Sequence, residues 1–313
     1  IAQFIEVLSW AVSNVSPNSM FFDPGIRAFV GYKSTGAKPV ELCLDGTIRE
    51  QGTGAGFNTR PDFQMTGSNL DSASYNPYNN TVVYVRRNTP TTIRVVPLSA
   101  TQEGQPMITG TDVQLRTEGN VSIANGQGGA ITDAGDLMIS TASGRVYVFF
   151  REPGTSTGFG NPVGNVLLAD DSFLTTAPNG SGGDVAWSIP GTDLYATAYE
   201  LAGNQLIHFY DTSDPAGGSY DVEFTTSDIP GVLFPNGAAN MLSSPLDGSE
   251  AGFDGGSFVI CSTNSSTPCR LYARTCETDA DCQAVVPGTV CTDDGPGGVA
   301  LPYCFAPAQA RDD

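Results

Sequence analysis

The chain has 313 residues, 40% of them hydrophobic, enough for a packed core, and 33 acidic side chains against 14 basic ones leave a net charge of −19. That field repels phosphate backbones, so nucleic-acid binding is excluded, and no run approaches the ~20 apolar residues of a membrane-spanning helix. Gly (37) and Pro (21) punctuate short apolar runs, the profile of an all-β chain rich in turns.

Lys33 and Lys38 are the only lysines, a balance that suits either a salty habitat or a soluble secreted surface. Ile1 in place of an initiator Met sets the expectation of a processed chain.

One landmark recurs along the chain: an asparagine-containing turn, a short strand, a tight turn and a strongly apolar strand. It reads "SPNSMFFDPGIRAFVGY" from Ser16, "SNLDSASYNPYNNTVVYV" from Ser68 and "ANGQGGAITDAGDLMIS" from Ala124. It returns as "PNGSGGDVAWSIPGTDLYAT" from Pro178 and "PNGAANMLSSPLDGSEAG" from Pro235. The marker residues Asn18, Asn69, Asn125, Asn179 and Asn236 lie 51, 56, 54 and 57 apart.

A third strand follows in each repeat: "PVELCL", "TTIRVVPL", "RVYVFF", "NQLIHFY" and "CRLYAR". A fourth is expected near "DFQM" (62–65), "DVQLR" (112–116), "NVLLAD" (165–170) and "DVEFTT" (221–226). Four antiparallel strands per repeat of this length predict a five-bladed β-propeller. The last repeat runs out before its fourth strand. The N-terminal "FIEVLSWAVSNVSPN" has the form of "DVEFTTSDIPGVLFPN", so residues 4–10 are expected to close the ring as its outer strand. The domain expectation is therefore a propeller over 1–275 with blades starting near 18, 69, 125, 179 and 236. A disulfide-rich module over 276–304 and a tail over 305–313 complete it.

Cys261 and Cys269 flank a hairpin between the second and third strands of the last repeat, where opposed Cα atoms come within disulfide range. Beyond them, C-x5-C-x8-C-x12-C matches no zinc spacing, and the chain has one histidine. The run "CETDADCQAVVPGTVC" resembles the C-x-x-D-x-D-C modules of secreted proteins of myxobacteria and their relatives, and Dickkopf- and colipase-like domains have a similar spacing. Alternate cysteines pair in such modules, so the resemblance implies Cys276–Cys291 and Cys282–Cys304. It also implies an oxidising compartment: secreted, periplasmic or cell-surface. Cys43 is left as a buried free thiol.

Asp23, in "FFDPG", stands where five-bladed glycosidases of the arabinanase and xylosidase type carry a carboxylate. The other repeats read "YNPYN", "TDAGD", "SIPGT" and "SPLDG" there, so the same Asp also reads as a turn residue. "GTSTG" around Ser156 matches G-x-S-x-G by letter, yet lies in a Gly/Thr-rich loop, and His208 falls in a strand. Acidic turns containing Asp133, Asp136, Asp211 and Asp214, with "DGSEAGFDGG" and "ETDAD", are solvated turns or, for one of them, a Ca2+ site. No other cofactor is expected. Sequons stand at Asn14, Asn79, Asn120, Asn179 and Asn264. Trp10 and Trp187, the only tryptophans, make no evident sugar-stacking platform.

With no catalytic constellation legible, the expectation is a non-enzymatic propeller acting in binding, adhesion or an extracellular assembly, its partner a protein or glycan at one face. The alternative is an extracellular carbohydrate-active enzyme using channel carboxylates such as Asp23.

Overall fold

The computed structural model describes residues 4–12, 15–23, 28–33, 38–50, 70–97, 112–132, 134–143, 145–160, 162–174, 185–188, 194–201, 204–211, 219–224, 239–243, 245–246, 249–250, 257–262, 268–283, 290–294, 298 and 301–305. Among the described residues the chain is all-β but for one short helix. None of its helices is long and apolar enough to cross a membrane among the described residues.

In chain order the first strands are β1 (Phe4–Trp10), β2 (Val15–Asp23), β3 (Ala28–Lys33), β4 (Lys38–Cys43) and β5 (Ile48–Glu50). Next come β6 (Leu70–Asn76), β7 (Thr81–Arg86), β8 (Thr92–Pro97) and β9 (Val113–Arg116), then β10 (Gly126–Ile131), β11 (Leu137–Thr141) and β12 (Arg145–Phe149). The middle of the chain holds β13 (Pro162–Val163), β14 (Val166–Leu168), β15 (Asp171–Leu174), β16 (Val185–Ser188), β17 (Leu194–Leu201), β18 (Asn204–Asp211) and β19 (Ser219–Phe224). The last repeat comprises β20 (Ala239–Ser243), the small hairpin β21 (Pro245–Leu246) and β22 (Ser249–Glu250), β23 (Ser257–Ser262) and β24 (Cys269–Arg274). The helix α1 (Asp279–Gln283) and the pair β25 (Val290–Thr292) and β26 (Tyr303–Phe305) follow.

Five larger sheets form, in a propeller-like array. Their orders are β2-β3-β4-β5, β6-β7-β8-β9-β14-β13, β10-β11-β12-β15, β16-β17-β18-β19 and β20-β23-β24-β1. In the last, the N-terminal strand pairs antiparallel with β24, from Phe4 opposite Arg274 to Trp10 opposite Cys269. The first strands of the sheets are mutual neighbours: β2 packs on β6, β6 on β10, β10 on β16, β16 on β20 and β20 on β2.

Burial on both faces explains apolar runs in place of alternation. Phe21 and Val30 of the first sheet pack against Ala73, Val82, Tyr84 and Val96 of the second. The opposite face of that second sheet, with Val83, Val85, Ile93 and Leu115, meets Ile131, Leu137, Ile139, Tyr147 and Phe149 of the third. Each such side chain, fully buried, contributes roughly 1.5–3 kcal/mol. Where β6 and β10 run side by side, the Ser72 hydroxyl donates to the Gly129 carbonyl and accepts from the Gly129 N–H, each at 3.0 Å. The fit is close: a Cβ on Gly129 would sit 2.6 Å from Val85 Cγ2.

One marker asparagine, Asn125, has a backbone cause. Asn125 adopts φ 54°, a left-handed conformation that Asn tolerates better than most residues, and a register shift follows at once between Gly126 and Gly128. β2 and β6 show comparable shifts after Ser16 and Leu70.

Two fourth-strand expectations are corrected. "NVLLAD" does not complete the third sheet: β14 crosses to the second and pairs in parallel with β9, Leu167 opposite Leu115. Both leucines are fully buried in the core between those sheets, whereas β15 returns to pair with β12. In the first sheet the outer strand is β5, not "DFQM", which lies outside the described residues. The Asp45–Gly46 turn folds β5 straight back on β4, with Gly46 at φ 86° and Asp45 Oδ1 accepting the Thr47 N–H at 2.9 Å.

After β24 the chain enters a small module. Cys276–Cys291 and Cys282–Cys304 are disulfides with Cα separations of 5.8 and 5.4 Å. Thr275 bridges to Tyr303, and the Cys276 N–H donates to the Pro302 carbonyl, so the module is docked to the end of β24.

Candidate active site

Asp23 ends β2, opposite Ala28, and is only 3% exposed. Phe22 beside it packs on Phe29, ring centroids 5.0 Å apart. The matching position of the second repeat is Asn76, opposite Thr81 and likewise buried. There the side chain holds its turn: Asn76 Oδ1 accepts the Tyr78 N–H at 3.0 Å. In the third repeat Thr132 Oγ1 accepts the Asp136 N–H at 3.1 Å, and Asp136 Oδ1 accepts the Arg151 N–H at 2.8 Å. Polar side chains at or just past the ends of β6 and β10 therefore organise backbone, and among the ends of β2, β6 and β10 — Asp23, Asn76 and Ile131 — Asp23 alone is a carboxylate.

The acidic turns bear on calcium unequally. Asp133 and Asp214 lie outside the described residues, as do Asp247 and Asp254, and Asp211 closes β18. Asp136 spends one carboxylate oxygen on the Arg151 N–H. In "ETDAD", Asp281 Oδ2 accepts the N–H groups of Glu277 and Thr278 at 3.0 and 2.8 Å, reaching back over the start of α1 as in a capping box. Asp279 Oδ1 accepts the Cys291 N–H at 2.8 Å and ties α1 to β25. These two acids build the module.

The sulfurs of Cys276, Cys282 and Cys291 lie within 4.8 Å of one another, but all three are in disulfides and offer no thiolate to a metal. Cys269 is disulfide-bonded, and the β23–β24 register, continued one step past Ile260 and Arg270, sets it opposite Cys261. Cys43 is free and buried; burial pushes its thiol up, against a lowering hydrogen bond from Thr47. The Tyr303 phenol, buried under the module, is pushed up to about 12 by desolvation.

Ser156 sits in a closed loop in which the Glu152 N–H donates to the Gly158 carbonyl at 2.9 Å. This is no strand–turn–helix elbow, and His208 belongs to β18, opposite Thr197 and Asp221. Of the sequons, Asn14, Asn179 and Asn264 fall outside the described residues, while Asn79 and Asn120 are exposed in turns. Trp10 is fully buried, so it offers no sugar platform. What sequence reasoning missed is an exposed aromatic at Tyr78 with the Arg151 guanidinium carbon 4.2 Å above its ring centre.

No protein-family model matches the chain, and no curated protein matches it. Solved structures resemble it at low identity. A protein assigned as a gluconolactonase is 8% identical, with 87% of this chain and 92% of that one covered at a TM-score of 0.40. The PQQ-bound aldose sugar dehydrogenase of Streptomyces coelicolor is 9% identical over 87% and 99%, at a TM-score of 0.43. A catalytically inactive virginiamycin B lyase of Staphylococcus aureus with quinupristin is 10% identical over 82% and 65%, at 0.37. At these TM-scores the likeness carries over no site, substrate or mechanism. These three neighbours are named as enzymes, against the expectation of a non-enzymatic binding or scaffold protein.

Proposed function

We propose that the chain is an extracellular carbohydrate-active enzyme, built as a five-bladed propeller that β1 closes, in which Asp23 is the acting carboxyl group. The ring is supported by the unbroken sequence of neighbours β2, β6, β10, β16, β20 and again β2, and by the pairing of β1 with β24. Two disulfides in the C-terminal module suit an oxidising compartment.

The observation that carries the reading is Asp23 itself: a carboxyl 3% exposed at the end of a first strand, where two sister repeats place uncharged residues. Breaking a glycosidic bond calls for a carboxyl that donates or accepts a proton at the leaving oxygen, or attacks the sugar carbon, within reach of a second one about 5–10 Å away. A group withdrawn from bulk water suits that task because its charge is not dissipated by solvent.

The test is reducing-sugar release from plant, algal and bacterial polysaccharides by the wild type and by Asp23→Asn. The wild type is expected to cleave at least one class, and the variant to lose about two or more powers of ten in rate while its unfolding midpoint stays close to wild type. Cleavage that survives in the variant removes Asp23 from the chemistry. No release from any polysaccharide by the wild type overturns the enzyme.

A further inference from the structure

We infer that the Tyr78–Arg151 pair anchors a carboxylate-bearing sugar of the substrate, a uronic acid residue, on the side of the molecule where Asp23 ends its strand. The inference rests on the carbohydrate reading above for the kind of ligand, and on the following geometry for the site.

Three connections meet here. Tyr78 lies in the turn from β6 to β7, Gly135 in the turn from β10 to β11, and Arg151 just past the end of β12. Each is fixed by a hydrogen bond already described: Tyr78 N–H to Asn76, Asp136 N–H to Thr132, and Arg151 N–H to Asp136. Gly135, at φ 88°, is wedged between the two side chains. A Cβ there would sit 2.5 Å from Arg151 Cδ and 2.8 Å from Tyr78 Cδ2, so only glycine lets the stack close.

The guanidinium lies over the ring 4.2 Å from its centre, and among the described residues it has no carboxylate in salt-bridge contact. Stacking occupies the flat face of an arginine and leaves its in-plane N–H fork free for a carboxylate, which it can bind through two parallel hydrogen bonds. Tyr78 remains 45% exposed, an aromatic surface for the C–H face of a sugar ring. On a protein of net charge −19, a stacked cation with no carboxylate in salt-bridge contact among the described residues can hold an anionic group that the rest of the surface repels. The turn holding Tyr78 follows β6 as residues 24–27 follow β2. In a ring of like repeats, the ends of β2 and β6 lie on one side.

The experiment is calorimetric titration at physiological salt with three probes: oligogalacturonate together with oligoguluronate, their methyl esters, and a glutamate oligomer of equal charge. The wild type is expected to bind at least one uronate. Its methyl ester, Arg151→Met and Tyr78→Ala should each weaken binding tenfold or more, with circular dichroism confirming that the variants fold. Arg151→Lys, which keeps the charge without the planar fork, should restore only part of the loss. Equal binding by wild type and Arg151→Met, equal affinity for acid and ester, tighter binding of the glutamate oligomer, or no uronate binding by the wild type would each overturn the anchor. A protein that binds uronate through Arg151 but cleaves nothing would refute the enzyme and keep the anchor. Cleavage indifferent to Arg151 would do the reverse.

Discussion

Trp10 donates its indole N–H to the main-chain carbonyl of Cys43 at 2.9 Å, joining the last strand of the fifth sheet to the third strand of the first. The indole is fully buried and meets Phe29 edge-on, with ring centroids 5.8 Å apart. One side chain thus seals the contact between β1 and the first sheet.

Removing that seal should be costly. Trp10→Ala is expected to lower stability by about 3–5 kcal/mol, because it opens a large cavity and takes from the Cys43 carbonyl one of its donors, leaving the Gly46 N–H. Trp10→Phe, which keeps most of the ring, should cost less, and deletion of residues 1–12 should cost more than either. Urea midpoints measure all three; a truncated protein with the wild-type midpoint would show that β1 is dispensable.

The contact between β6 and β10 depends on a single hydroxyl. Ser72→Ala leaves both the N–H and the carbonyl of Gly129 without the partner they have now, in a buried setting, and is expected to cost about 1–3 kcal/mol. Hydrogen exchange should localise the effect. Faster exchange of the Gly129 amide is expected, and an amide as protected as in the wild type would count against the bridge.

Cys43 predicts a pH effect with a definite sign. Burial raises its pKa above the ordinary 9.0, so the folded protein keeps the proton to higher pH than the unfolded chain does. The stability this contributes is complete below about pH 9 and is lost as pH climbs through the raised folded value. Stability of the wild type should therefore fall more steeply above pH 9 than that of Cys43→Ala. A thiol reagent at pH 8 should label Cys43 only after unfolding, and rapid labelling of the native protein would contradict its burial.

In the C-terminal module, Asp281→Ala removes the acceptor for two main-chain N–H groups and is expected to weaken the start of α1 by about 1 kcal/mol. Replacing Cys282 and Cys304 together by Ser releases a loop of sequence separation 22, worth about 3 kcal/mol in chain entropy. Both changes should speed proteolysis between Cys276 and Cys304 while the sheets keep their unfolding midpoint. Peptide mapping without reduction reports the pairing itself.

The legible features were those with a local cause. At Asn125 the landmark marks a left-handed residue before a register shift, a requirement that the backbone sets within a few residues. Strand β9 could be read from "DVQLR" because its alternation is intact: Leu115 is buried while Gln114 and Arg116 remain partly exposed. "NVLLAD" was assigned to the wrong sheet because an apolar run states that it will be buried, not against which edge. Leu167 found Leu115, about fifty residues away. The Tyr78–Arg151 stack was invisible for the same reason on a larger scale. Its members come from two repeats, and only folding makes them neighbours.

The parallel ladder between β9 and β14 has a consequence for how this chain can change over generations. Repeat arrays gain and lose members when recombination cuts at equivalent points in neighbouring copies. A loss of the third repeat would remove Val166, Leu167 and Leu168 and bare the outer edge of the second sheet along Gln114, Leu115 and Arg116. The second and third repeats are therefore coupled by a lent strand, and a cut between them would leave that edge unpaired.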